Sequence, residues 1–177
     1  MQDEVILVDE LDIPVGVMEK MEAHRKALLH RAFSVFIFNP QGEMLLQRRA
    51  LTKYHSGGLW TNACCSHPRP EEDTRRAAMR RLNEELGFSS PLEKAFHFTY
   101  KTAFGNGLTE HEYDHVFVGF YDGAIHPNPV EVCECRWLLP GEIEGELRSS
   151  PEAYTTWFHL AFPMIRKWMA ADDMVDR

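Results

Sequence analysis

Glu110 and Glu112 lie two residues apart in a stretch, Thr109 to Tyr121, where apolar and polar residues alternate. Residues two apart on a strand share a face, so both carboxylates can meet one hard cation while His111 turns to the other side. A second group, Cys64-Cys65-Ser66-His67, sets two thiols beside an imidazole. Neighbours on a strand face opposite sides, so only one of the two thiols can enter a pocket, and a buried packing role suits the other. His24 and His30 are six apart, a spacing that puts them on one face of no regular helix. They converge only through a bend or loop, and each taken singly fits a hydrogen-bonded structural role as well as a ligand role. Glu72, Arg80, Arg81, Glu84 and Glu85 form a charged run in which Arg81 and Glu85, four apart, face each other. Such carboxylates suit a divalent cation, and they equally suit a solvated helix face laced with ion pairs.

These groups need elements to hold them. Val5 to Val8 and Phe33 to Phe38 read as strands, and Asn39-Pro40-Gln41-Gly42 turns the second toward Met44-Leu45-Leu46. From Glu72 to Leu86 the three- and four-residue recurrence of Ala77, Ala78, Arg81, Leu82 and Glu85 predicts a helix, acidic in its first turn and closed by Gly87. Ala95 to Ala103 and Thr109 to Tyr121 predict a long hairpin about Gly105-Asn106-Gly107. Pairing about Asn106 sets Thr102 opposite Glu110 and Tyr100 opposite Glu112, so Tyr100 is expected beside a carboxylate. Val132 to Leu138 is a further strand with Cys133, Cys135 and Trp137 on one face. Pro151 to Ala170 predicts one long helix, entered through Ser150 and bent at Pro163. Strands flanked by helices indicate an α/β or α+β sandwich, taken as a single domain over residues 1–177.

The net charge of −8 opposes binding of a phosphate backbone, so no nucleic-acid partner is expected. The longest apolar run, Ala32 to Phe38 broken by Ser34, falls far short of the ~20 residues of a membrane span. The four cysteines lack the two-residue gap of a zinc or redox pair, which fits a reduced compartment, and the N-terminus lacks a basic targeting region. The expectation is an untargeted cytoplasmic chain without a membrane partner.

Glu72, Arg80, Leu82, Glu84, Glu85, Gly87 and Phe88 fall in the register of the Nudix box, Gly-x5-Glu-x7-Arg-Glu-apolar-x-Glu-Glu-x-Gly-apolar. Ser66 replaces the opening Gly, and Arg81 stands where Nudix hydrolases carry the first Glu of their cation cluster. Trp60-Thr61-Asn62-Ala63-Cys64-Cys65-Ser66-His67-Pro68 resembles the Thr-Asn-x-x-Cys-x-His-Pro segment of type I isopentenyl-diphosphate isomerases. The likeness continues through Glu19-Lys20, His24, His30-Arg31-Ala32-Phe33-Ser34, Arg48-Arg49-Ala50 with Lys53, Glu110-x-Glu112 and Trp157.

That resemblance implies a Nudix-type α/β/α sandwich with a mixed sheet. It also implies isomerisation of isopentenyl diphosphate to dimethylallyl diphosphate by adding one proton and removing another. By the same resemblance His24, His30, His67, Glu110 and Glu112 hold one metal, and Glu85 helps hold Mg²⁺ with the substrate diphosphate. Three imidazoles and two carboxylates suit Mn²⁺, Zn²⁺ or Mg²⁺ without choosing among them. The resemblance makes Cys65 and Glu112 the acid–base pair and Trp157 an active-site ring suited to face a cationic intermediate, while Tyr100, placed by the hairpin register, is expected to hydrogen-bond that carboxylate and help set its protonation. Lys20, Arg49, Lys53 and Arg81 would anchor the diphosphate. The expected partner is thus a small allylic or homoallylic diphosphate, and the chain is expected as a monomer or weak homodimer. A Nudix pyrophosphohydrolase and a catalytically idle, metal-stabilised module remain as alternatives.

Overall fold

The computed structural model describes residues 3–175. In chain order the elements are β1 (Glu4–Val8), β2 (Pro14–Glu19), α1 (Lys20–Arg25), β3 (His30–Phe38), β4 (Met44–Arg49), β5 (Trp60–Thr61) and β6 (Cys64–Ser66). They continue with α2 (Thr74–Leu86), β7 (Glu93–Ala103), β8 (Thr109–Phe120), β9 (Val132–Leu138), α3 (Pro140–Ser149) and α4 (Thr156–Val175).

β3 is the hub: it pairs parallel with β8, from His30 opposite Glu112 to Phe38 opposite Phe120, and antiparallel with β1, β4 and β6. Strand alternation sorts its side chains into two cores. Phe33, Val35 and Ile37 pack with Ala77, Ala78, Leu82 and Leu86 of α2, while Phe36 and Phe38 pack with Ile143 of α3 and Phe158, Phe162 and Ile165 of α4. Helices therefore cover both faces of a mixed sheet, the α/β/α sandwich expected. No helix among the described residues is long and apolar enough to cross a membrane.

The β7–β8 hairpin has the expected register, with Tyr100 opposite Glu112 and Thr102 opposite Glu110. Glu110, Glu112, Asp114, Val116 and Val118 share one face of β8, as His30, Ala32, Ser34, Phe36 and Phe38 do on β3. Phe36, Phe38, Val116 and Val118 lie in the core under α4, and the polar members gather at the other end of that face. A polar site is thus cut into one end of an apolar layer.

Two predicted helices need correction. The helix expected from Glu72 starts at Thr74 with Asp73 as its cap, the Asp73 carboxylate accepting from the Arg76 amide at 3.0 Å. The acidic residues lie ahead of the first turn because a capping carboxylate satisfies amides that have no partner within the helix. Gly87 does close it, at φ 74°. The C-terminal helix does not run unbroken from Pro151. Pro151–Ala153 form a 3₁₀ turn without side-chain capping by Ser150, and Tyr154 is extended. Tyr154 bridges to Trp60, the Thr155 amide donates to the Trp60 carbonyl at 3.0 Å, and the helix restarts at Thr156 with Pro163 inside it. Pairing with β5 outweighs one further turn of helix, and it seats Trp157 at the site. β2, α1 and α3 had no clear pattern in the sequence.

Candidate active site

His24 lies in the last turn of α1 and His30 opens β3, and the turn between them passes through Ala27 at φ 54°. That left-handed residue is the bend their spacing required. Their rings come to 4.9 Å between centroids, and His67 lies 5.0 Å from His30 and 5.8 Å from His24. His24 Nδ1 meets the Lys20 carbonyl at 2.6 Å and His30 Nδ1 the Leu28 carbonyl at 2.8 Å. A carbonyl only accepts, so each Nδ1 donates and each Nε2 is free to bind a cation. Both Nε2 atoms are buried without a hydrogen-bond partner among the described residues.

Facing them, Tyr100 donates its single hydroxyl proton between Glu110 Oε2 at 2.9 Å and Glu112 Oε2 at 2.7 Å. The other oxygen of Glu112 lies 2.9 Å from His67 Nε2 and 3.5 Å from His30 Nε2. His24, His30, His67 and Glu112 offer ligand atoms all within 4.8 Å of one another, the compactness one ion requires. Glu110 falls in a second such group, with His24 and His55. Bare imidazole nitrogens turned toward carboxylate oxygens fit a divalent cation, and the donor chemistry suits Mn²⁺, Zn²⁺ or Mg²⁺.

The electrostatics agree. Burial lowers the His24 imidazole and brings His67 down to about 4, so both stay neutral donors. At His30, burial pulls the same way but the adjacent Glu112 carboxylate outweighs it, and the ring is raised. At Glu112, burial pushes up, yet His30 and His67 hold the carboxyl well below the usual range. Positive charge is favoured between these groups, as a proton or as a metal ion.

On β6, Cys64 is buried in the α2 core and Cys65 points into the site, the division that strand alternation demands. Cys65 Sγ receives the Trp157 indole N–H at 3.1 Å and lies 3.1 Å from Asn62 Oδ1. Asn62 is itself fixed, its amide donating to the Val35 and Cys64 carbonyls at 3.0 Å each. Burial pushes the Cys65 thiol up to about 12, so it rests protonated and directs its S–H at Asn62. Ser34, 3.6 Å from the same sulfur, donates to Asp114 at 2.7 Å. A pocket of about 30 Å³ is bounded by Cys65, Tyr100, Glu110, Glu112, Tyr54 and Trp157.

Beside it a cleft of about 520 Å³ is lined by Lys20, Arg49, Lys53 and Arg81 together with His67 and Glu85. The four expected anchors therefore line one cleft. Lys53 pairs with Glu131, and Arg81 reaches Glu84, Glu85 and Glu131 at 2.7, 2.6 and 3.2 Å. Glu85 is buried and also accepts from Gln47 at 2.9 Å. Arg49 stacks 5.2 Å over the Trp157 ring, tying cleft to pocket. His55, Glu131 and Asp114 escaped sequence reasoning, and Ser34 entered it only as the end of the His30–Ser34 segment and as the break in an apolar run. Of the first three, Asp114 alone had a signal, as the third member of the Glu110-Glu112 strand face.

A NUDIX domain family model matches residues 28–158. Isopentenyl-diphosphate Delta-isomerase 2 of Aromatoleum aromaticum is 53% identical over 157 residues, covering 89% of this chain and 83% of the relative. The isopentenyl-diphosphate Delta-isomerase of Burkholderia multivorans is 46% identical over 173 residues, covering 95% of this chain and 98% of the relative. Among solved structures, DR0079 from Deinococcus radiodurans superposes with TM-score 0.70 at 20% identity, over 84% of this chain and 90% of that one, a likeness of fold alone. With half its residues shared across nearly its whole length, the chain belongs to the isopentenyl-diphosphate Delta-isomerase family, built on a Nudix domain.

Proposed function

We propose that this chain isomerises isopentenyl diphosphate to dimethylallyl diphosphate, with Cys65 and Glu112 as its acid–base pair. The observation that carries the reading is a thiol, Cys65, and a carboxylate, Glu112, bordering one small pocket that adjoins a cleft lined by Lys20, Arg49, Lys53 and Arg81.

An unactivated alkene is a poor base, and the shift of its double bond needs a proton delivered at one carbon and another removed two carbons away. One group donates while the other accepts, and the reverse reaction exchanges their roles. Tyr100, its hydroxyl pushed well above its ordinary range by burial, stays a donor and holds both carboxylates in place. Trp157 turns an aromatic face to the positive charge that develops on carbon, an attraction of ~2 kcal/mol when desolvated. Arg49, Arg81, Lys20 and Lys53 bind the diphosphate, the two guanidiniums through paired donors and the two lysines as point charges.

His24, His30, His67, Glu110 and Glu112 would hold a divalent ion, Mn²⁺, Zn²⁺ or Mg²⁺, and Glu85 would help hold Mg²⁺ brought with the diphosphate. When bound, the first ion fixes the orientation and acidity of the carboxylate pair. We take residues 1–177 as one catalytic unit, working in the cytoplasm as a monomer or weak homodimer, with no nucleic-acid or membrane partner.

The test is proton NMR of the protein with isopentenyl diphosphate and Mg²⁺ in D₂O. The expected product is dimethylallyl diphosphate carrying solvent deuterium. An unchanged substrate alongside cleavage of nucleotide diphosphates would replace this reading with a hydrolase.

A further inference from the structure

His55 sits on the Ala50–Leu59 loop between β4 and β5, and it is 6% exposed. Its ring stacks on Phe104 at 4.2 Å and 8°, and meets Tyr54 and Trp157 edge-on. The loop is pinned to the hairpin that carries the carboxylates, since the Asn106 side-chain amide donates to the Tyr54 carbonyl at 3.0 Å. From the other side Arg49 donates to the His55 carbonyl at 3.2 Å. His55 is therefore a held side chain.

Its two nitrogens differ. Nδ1 has Ser56 Oγ as a partner at 3.1 Å. Nε2 lies 2.7 Å from Glu110 Oε1, close enough for a hydrogen bond, yet it has no aligned partner among the described residues and is buried. That nitrogen, His24 and Glu110 Oε1 belong to a group whose ligand atoms all lie within 4.8 Å.

This group and the His24–His30–His67–Glu112 group share His24. His24 has committed Nδ1 to the Lys20 carbonyl and retains one donor, Nε2. One imidazole lone pair serves one ion, so the two groups are not independent sites. They meet at His24, and because the six donors do not all lie within 4.8 Å of one another, a single ion would have to draw the two groups together. Tyr100 agrees with that division: it takes Oε2 of both carboxylates, leaving Oε1 of Glu112 toward His67 and Oε1 of Glu110 toward His55.

We propose that His55 is a fourth imidazole ligand at this centre, joining His24, His30, His67, Glu110 and Glu112 around a single divalent ion. The proposal rests on the metal reading given above and extends its ligand set. Four nitrogens and two oxygens suit six-coordinate Zn²⁺, Mn²⁺ or Co²⁺ and disfavour Mg²⁺, which prefers oxygen donors. His55 thus selects the metal. It also links that choice to the diphosphate cleft, because Lys53 stands two residues earlier on the same loop.

X-ray absorption of the Co²⁺-loaded protein, with imidazole counting from multiple scattering, tests this directly. Four imidazoles are expected in the parent protein and three in His55→Gln. His111→Gln, on the opposite strand face with its ring against the Ala27 carbonyl, should leave four. Chelator competition should show the Zn²⁺-over-Mg²⁺ preference of His55→Gln falling at least about tenfold. Three imidazoles in the parent protein would overturn the proposal whether or not the variant folds, leaving His55 as a hydrogen-bonding neighbour of Glu110. Four in His55→Gln would overturn it too. If the parent protein retained no ion at all, the metal reading would fall with it, so the two failures are distinguishable.

Discussion

Tyr100→Phe removes one oxygen and nothing else, which makes it a sharp probe of how the two carboxylates are held. The hydroxyl reaches Glu110 Oε2 and Glu112 Oε2 at 2.9 and 2.7 Å, and both carboxylates are nearly buried, at 4% and 6% exposure. A hydrogen bond to a charged acceptor contributes ~1.5–3 kcal/mol, and the carboxylate oxygens left behind gain no water in its place. Taking ~2 kcal/mol gives roughly a 30-fold effect, at ~1.4 kcal/mol per factor of ten. Loss of an outer partner to metal ligands independently costs about 10–100-fold in affinity or activity. Both routes point to a drop of about 30-fold in divalent-ion affinity, read by chelator competition. Turnover at saturating metal should also fall at least tenfold. KM should barely move, because Tyr100 lies outside the cationic cleft. Metal affinity within twofold of the parent, with turnover within threefold, would refute the claim that Tyr100 holds the pair.

Cys65→Ala and Glu112→Gln should each abolish deuterium incorporation while circular dichroism stays native, and near-parental turnover by either would end the acid–base assignment. His67→Asn should lower bound metal measured by elemental analysis, and unchanged stoichiometry would remove His67 from the ligand set. The Cys65 thiol, pushed up to about 12, has a folded pKa above that of a free thiol, so its neutral form is favoured by folding. The resulting stability is fully present below about pH 8.5 and is lost as pH rises toward 12; alkylation of Cys65, followed by peptide mapping, should accelerate across that range, and half-maximal reactivity near pH 8 would contradict it. Arg81→Gln should let Mn²⁺ bind at Glu85 without any diphosphate, seen as a second ion by electron paramagnetic resonance; two ions on the parent protein without diphosphate would sink that account.

Features set by local periodicity were readable in the sequence. The partner of every residue near the hairpin tip follows from a period of two and a turn at Asn106, so Tyr100 could be set against Glu112 beforehand. That only one of Cys64 and Cys65 could enter the pocket has the same origin, while the choice of Cys65 came from the family resemblance. His24 and His30 were harder: spacing showed only that a bend was needed, and the left-handed Ala27 that supplies it is an uncommon conformation for a residue with a β-carbon. His55 was invisible because its position depends on a loop tied down by Asn106 from a hairpin far along the chain. The C-terminal helix was misjudged for a related reason. Its periodicity extends back to Pro151, yet Tyr154 and Thr155 form better hydrogen bonds by lying along β5 than by winding another turn.

Arg81 is where the box resemblance and the isomerase site have to be reconciled. In a hydrolase of this fold the box carboxylates gather ions to activate water. Here Arg80 pairs with Glu72 and Glu84, and Arg81 pairs with Glu84, Glu85 and Glu131. Each carboxylate of the box already has a guanidinium partner, and stripping a partner from buried Glu85 costs several kcal/mol unless another cation replaces it. A diphosphate in the cleft offers Arg81 a better anion than Glu85, and it brings a cation of its own. On the proposed reading, that exchange would free Glu85 to hold Mg²⁺ only when substrate is present. The box would then serve as a substrate clamp, and the proton chemistry would fall to the small pocket bordered by Cys65 and Glu112, where His30, His67 and Tyr100 meet that carboxylate. Water activation needs an ion waiting at the box beforehand, and Arg81 opposes that arrangement.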